Sequence, residues 1–161
     1  MQAPILESRT LAWPDEAACD ASARRLARRP ALRDAVIELH GPLGAGKTTF
    51  VRHLLHALGI HGTVKSPTYA LLEPYRLPAD RGGFEIAHFD FYRFDDPQEW
   101  EDAGFREVFA GDGLKLVEWP EKAAGLLPRC DLRIGISPRD DGVARDVRFE
   151  ALSSVGEELL R

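Results

Sequence analysis

Apolar residues along this chain fall into short runs separated by stretches in which they recur every three or four positions. Residues 4–12 carry the first run and predict a strand. Pro14-Asp15-Glu16 after it has the form of a helix start, with acids in the first turn where the helix dipole favours them. That helix is expected to run to about Arg29, where Pro30 stops it. Ala35-Val36-Ile37-Glu38-Leu39-His40 suits a buried strand. A glycine-rich turn over 41–46 leads into an amphipathic helix from about Lys47 to Leu58, with Gly59 as its C-terminal cap.

Further on, strand patterns dominate. Val64 to Tyr75 predicts a loop that enters a strand at Tyr69-Ala70-Leu71-Leu72-Glu73, bounded by prolines. Leu77 to Gly83, with Pro78, Asp80, Gly82 and Gly83, predicts an exposed connection. Phe84 to Tyr92 is strand-like and carries Asp90 at its end; Pro97 opens a short acidic helix with Gly104 near its finish. Gly113 to Trp119 predicts a strand ended by Pro120. Asp131–Ile136 and Val143–Glu150 flank Pro138-Arg139-Asp140-Asp141-Gly142, a hairpin signal. Such a mixture implies α/β, with a parallel core, antiparallel additions and flanking helices.

Composition narrows the class. The 161 residues fit one domain, and 44% hydrophobic with 29% charged residues suits a globular chain with a sizeable core. No run of about 18 apolar residues is present, so no membrane span is expected. The start, Met1 to Glu7, lacks the basic and apolar segments of a secretory signal, which makes cytoplasmic residence the expectation. Cys19 and Cys130 lie far apart and read as reduced thiols. The net charge of −5 is opposite to the footprint of a domain that binds nucleic acid by itself. Arg24, Arg25, Arg28, Arg29 and Arg33 form one basic cluster, read as a solvated helix face with a polyanion contact as the alternative.

Gly41-Pro42-Leu43-Gly44-Ala45-Gly46-Lys47-Thr48 matches G-x-x-x-x-G-K-[ST] without departure, between a predicted strand and a predicted helix. Glycines let backbone N–H groups approach phosphate oxygens, and the helix start aims its positive end at the same anion. Gly41, Gly44, Ala45, Gly46, Lys47, Thr48 and Thr49 are therefore expected to hold the phosphates of ATP, with Lys47 on the β- and γ-phosphates and the Thr48 hydroxyl on Mg²⁺. The expected fold is accordingly a P-loop NTPase-like sheet. Hydrolysis needs an acid on the metal or on the attacking water, and Asp90 and Glu118 end predicted strands where an α/β sheet forms its ligand crevice. Ser66-Pro67-Thr68-Tyr69 offers two hydroxyls beside a fixed proline, as a switch near the γ-phosphate or an ordinary turn. Trp119 is expected near the nucleotide or in the core. The acidic stretch Asp95 to Asp102 reads as a solvated face or as a partner surface anchored by Trp100.

Four segments occur together: the phosphate loop through Thr49-Phe50, Val64-Lys65-Ser66-Pro67-Thr68-Tyr69, His88-Phe89-Asp90-Phe91-Tyr92-Arg93, and Leu116-Val117-Glu118-Trp119-Pro120. In order and spacing they resemble the TsaE (formerly YjeE) family over most of residues 8–155. The resemblance implies a weak bacterial ATPase needed to make N6-threonylcarbamoyladenosine in tRNA. It also implies two partner subunits, TsaD and TsaB, with tRNA met only through the complex. On the family's motifs, Thr48 and Glu118 would be metal-associated, Asp90 catalytic or metal-associated, Ser66 to Thr68 the switch, and Trp119 near the nucleotide. The Leu77–Gly83 connection is longer than that pattern leads one to expect, which bears on the register of Asp90.

Two other readings stand beside this one. A small-molecule or nucleoside kinase would use the same cradle, but kinases add an arginine-bearing lid, whereas Arg129, Arg133, Arg139, Arg145 and Arg148 fall on the predicted hairpin. A nucleotide-gated binding module would bind ATP without useful hydrolysis.

Overall fold

Full burial along Leu114–Glu118 and alternating burial along Val36–His40 mark these segments as the interior of a sheet. The computed structural model describes residues 4–67 and 69–161. Its elements, in chain order, are β1 (Glu7–Trp13), α1 (Glu16–Ala27), β2 (Val36–His40), α2 (Lys47–Ala57), β3 (Leu72–Arg76), β4 (Glu85–Asp90), α3 (Pro97–Asp102), α4 (Phe105–Ala110), β5 (Leu114–Glu118), β6 (Leu132–Pro138), β7 (Arg145–Ala151) and α5 (Ser154–Leu159). The strands form one seven-stranded sheet in the order β1-β7-β6-β2-β5-β4-β3. The four strands β6, β2, β5 and β4 are parallel, and β7, β1 and β3 add to the edges antiparallel. This is the parallel core with antiparallel additions that the sequence predicts.

Both faces of the sheet are covered. On one, α2 contributes Phe50, Val51, Leu54 and Leu55, which pack with Ile37, Leu39, Leu116 and Ile134 of the sheet, and Trp13 stacks on Phe50 at 5.6 Å between centroids. On the other, α3 and α4 cover an aromatic cluster in which Phe89 stacks on Phe109 at 4.5 Å and Trp100 on Phe109 at 5.5 Å. Trp100 is only 2% exposed, so it belongs to this core and is not a surface anchor. The acids around it lie on the solvent side, as a solvated face requires.

Several boundaries differ from the sequence expectation. α1 stops at Ala27, and Pro30 opens a short 3₁₀ turn, Pro30–Asp34. The strand expected at 69–73 starts only at Leu72, because Leu71 has a φ of 68° and its N–H closes a turn on the Pro67 carbonyl at 2.7 Å. Its Pro74 is tolerated because β3 is an edge strand. Within the exposed connection, Leu77 is buried. Gly104, expected near a helix end, is also the left-handed N-cap of α4. Ser153 caps α5 by accepting from the Gly156 N–H.

The register fixes where chemistry can sit. Leu39 and Asp90 both lie opposite Glu118, on either side of β5. The turn after β2 and the last residues of β4 and β5 therefore share one end of the parallel core, the usual crevice of such sheets. The longer Leu77–Gly83 connection leaves this alignment intact. Among the described residues no helix is long and apolar enough to cross a membrane.

Candidate functional site

At that end the chain after β2 makes the glycine-rich turn. Gly41 has a φ of 151°, and a Cβ there would collide with the Ile136 carbonyl oxygen of the neighbouring strand. Gly46 caps α2 with a φ of 110°, a conformation L side chains rarely adopt, while the space in front of it is open. No backbone carbonyl of the described residues pairs with the amides of Gly44, Gly46, Lys47 or Thr48, which leaves these donors free at the helix start. Leu43 to Thr49, Ser66, Asp90, Glu118 and Trp119 line a cavity of about 310 Å³. Thr68 lies outside the described residues.

Lys47 is buried at the base of this loop. Its Nζ donates to the Gly41 carbonyl and reaches the Pro42 carbonyl at 3.5 Å, and it lies 3.6 Å from the centroid of the Trp119 ring. Burial pulls its pKa below the ordinary lysine value, while the charges of Glu118, Glu121 and Asp90 oppose that fall. Trp119 takes a φ of 56°, unusual for a bulky residue, and this turn presents its ring to Lys47 and, at 4.9 Å, to Tyr92.

The two acids predicted from strand ends are both here and both buried, Asp90 at 4% and Glu118 at 2% exposure. Thr48 Oγ1 lies 2.9 and 3.0 Å from the two oxygens of Glu118. Asp90 accepts from the Ser66 hydroxyl through Oδ2 and from the Tyr92 N–H through Oδ1 at 2.9 Å. The structure therefore brings together every described residue of the expected site. Gly41 shapes the turn, and the others line the cavity.

Three further residues were not found from the sequence. His88 is fully buried beneath Glu118, with Nε2 2.6 Å from Oε2. Tyr92 lines the cavity beside Trp119. Arg145, on β7, donates through Nε to the Ala45 carbonyl at 2.7 Å and through Nη1 to the carbonyls of Gly142, Val143 and Ala144. With those donors committed to backbone, Arg145 is a brace on the loop and not the free arginine of a lid. A second depression of about 260 Å³ adjoins the first across Ala45, Gly46, Thr49 and Arg145, and extends to Trp13, Glu16 and Arg52.

The donor set suits a polyphosphate. Among the described residues it offers unpaired amides at a helix start and a buried ammonium whose hydrogen-bond acceptors are its own loop's carbonyls. Among the described residues no group of three or more His, Cys, Asp or Glu is arranged to hold a metal by itself. A hard cation would therefore need the Thr48 hydroxyl and one or two carboxylates together with ligand oxygens, which is the habit of Mg²⁺.

Residues 13–147 match the family model described as threonylcarbamoyl adenosine biosynthesis protein TsaE. The chain is 42% identical over 125 residues to the tRNA threonylcarbamoyladenosine biosynthesis protein TsaE of Haemophilus influenzae, covering 78% of this chain and 75% of that one. It is 39% identical over 124 residues to the protein of the same name from Bacillus subtilis, covering 77% and 74%. The crystal structure of Bacillus subtilis YdiB superposes with a TM-score of 0.77 at 28% identity, covering 98% of this chain and 95% of that one.

Proposed function

The chain belongs to the TsaE family of threonylcarbamoyl adenosine biosynthesis proteins, and from that membership we propose that it is the ATP-binding and ATP-hydrolysing subunit of the tRNA N6-threonylcarbamoyladenosine machinery. One observation carries the nucleotide half of this reading. The hydroxyl of Thr48, the residue after the loop lysine, is bonded to a buried carboxylate, Glu118, from the adjacent parallel strand. A glycine turn that merely capped a helix would have no use for that pairing.

In this reading the amides of Gly44, Gly46, Lys47 and Thr48 and the Lys47 ammonium hold the phosphates. The adjoining depression at Trp13, Arg52 and Arg145 takes the nucleoside. Thr48, with Glu118 and Asp90, would hold Mg²⁺, which would supply positive charge against the phosphates. One of the two carboxylates, Asp90 or Glu118, orients the attacking water and takes its proton. Asp90, tied to Ser66, gives the 64–71 segment a direct link to the phosphate end, so Ser66 and Thr68 act as the switch. Trp119 shields Lys47 from solvent. The family resemblance supports TsaD and TsaB as the proteins it acts with, in the cytoplasm, with tRNA reached through them.

The test is uptake of a fluorescent ATP analogue with and without Mg²⁺, followed by turnover. Saturable uptake that Mg²⁺ strengthens is expected. Lys47→Ala should weaken it on the order of 100-fold, the effect of removing roughly 2.7 kcal/mol of charge-assisted bonding. Failure of the folded wild-type chain to take up the analogue overturns the reading.

A further inference from the structure

His88 stands two residues before Asp90 on β4, on the same face of the sheet, and the mechanism above leaves it without a task. In the β4–β5 register His88 lies opposite Leu116 while Asp90 lies opposite Glu118, so the imidazole reaches Glu118 on the diagonal, from the core side. Its ring is fully buried and Nε2 is 2.6 Å from Glu118 Oε2. Nδ1 is buried too, and it has no hydrogen-bond partner among the described residues. An imidazole placed for packing alone would leave both nitrogens unpaired or give way to an apolar residue; here a single short bond, to Glu118, accounts for its presence.

The oxygens of Glu118 are thereby made unequal. Among the described residues, Oε2 is approached by both His88 Nε2 and the Thr48 hydroxyl, at 2.6 and 3.0 Å, whereas Oε1 is approached by Thr48 alone, at 2.9 Å. We propose that His88 is a positioning residue that pins Glu118 through Oε2 and leaves Oε1 as the oxygen offered to the divalent cation or its water. This rests on the reading of the cavity as a Mg²⁺–nucleotide site. Partners that orient a metal-facing carboxylate from behind act through the ligand they hold. Their removal typically lowers metal affinity or activity by about 10–100-fold.

The experiment compares His88→Leu, which removes the donor, with His88→Gln, which restores an N–H close to the Nε2 position. Four quantities are read: Mn²⁺ affinity of the ADP complex from the free-ion resonance signal, metal-free affinity for a fluorescent nucleotide, kcat with KM, and thermal unfolding. The expected result for H88L is Mn²⁺ affinity and kcat both lower by about 10–100-fold, with metal-free nucleotide binding and KM held within about threefold. H88Q should recover most of the loss. Wild-type metal affinity and kcat in H88L overturn the proposal, as does an equal loss in H88L and H88Q that tracks a lowered unfolding temperature. If H88L does not fold, wild-type protein with ¹⁵N-labelled histidine decides the matter. A downfield Nε2–H resonance that moves when Mg²⁺ is added to the ADP complex supports the proposal, and one that ignores the metal overturns it. Loss of the underlying nucleotide reading would show in the wild-type protein itself, as absent uptake, and would overturn this proposal with it; failure of the His88 assignment alone leaves wild-type uptake intact.

Discussion

Lys47 is a cation held where cations are disfavoured. Burial lowers its pKa, and nearby Glu118, Glu121 and Asp90 only partly offset that. For a lysine whose folded value lies below its unfolded one, the unfolded chain binds more protons between the two values. The stability contribution is therefore complete above the unfolded value of 10.5 and is lost as pH falls through the folded value. A phosphate anion beside the ammonium reverses the bias, so nucleotide binding draws a proton onto Lys47 within that window. The expected outcome is an affinity that declines as pH rises through a value below 10.5, with Lys47→Arg flattening the decline; titrating analogue binding under alkaline conditions checks it. At this scale the sequence was informative about placement, wherever motif spacing sets a turn at a helix start, as from Gly41 to Thr48, or a strand end sets position, as for Asp90 and Glu118. It was silent on His88 and Arg145. One is a lone histidine in an apolar run, and the other is an arginine among several on a hairpin; only the diagonal register and the strand order bring them to the site.

Elements were legible when their pattern was long and capped, as in α1, whose Asp15 accepts from the Ala18 N–H. They were less so when short. Gly104 reads as a terminator, yet it joins α3 to α4, and six-residue helices carry too little periodicity to announce themselves. Likewise β3 begins late because the turn at Leu71 is set by a contact to Pro67, which propensity does not reveal. The pair α3–α4 has an identifiable anchor in Trp100, which stacks on Phe109 and meets Phe105 edge-on at 5.7 Å. Trp100→Ala should lower the unfolding free energy by about 3–5 kcal/mol, measured by urea denaturation. Because this cluster lies across the sheet from α2, nucleotide affinity in the fraction that remains folded should stay near wild type.

For the whole molecule the central question is what closes the site. Turnover by the isolated chain is expected to be slow and to rise when TsaD and TsaB are added, while the affinity for a nucleotide analogue should change by between about 5- and 150-fold, the usual span of coupling between binding sites. Equal, negligible rates in both conditions would favour a binding module without hydrolysis. Folding itself can be followed through Cys19 and Cys130, both buried, with burial first among the causes that push their thiols up to about 12. Their modification by an aromatic disulfide reagent should therefore keep pace with global unfolding and not precede it. The pairing of β1 with β7, residue by residue from Glu7–Ala151 to Trp13–Arg145, bears on how such a chain is born. A ribosome releases Trp13 long before its sheet partner exists, and the arginine that props Ala45 arrives on that same late strand. A nascent chain thus carries its phosphate loop in unfinished form until β7 has been made, and a fragment that stops before β7 should take up a nucleotide analogue less well than the full chain.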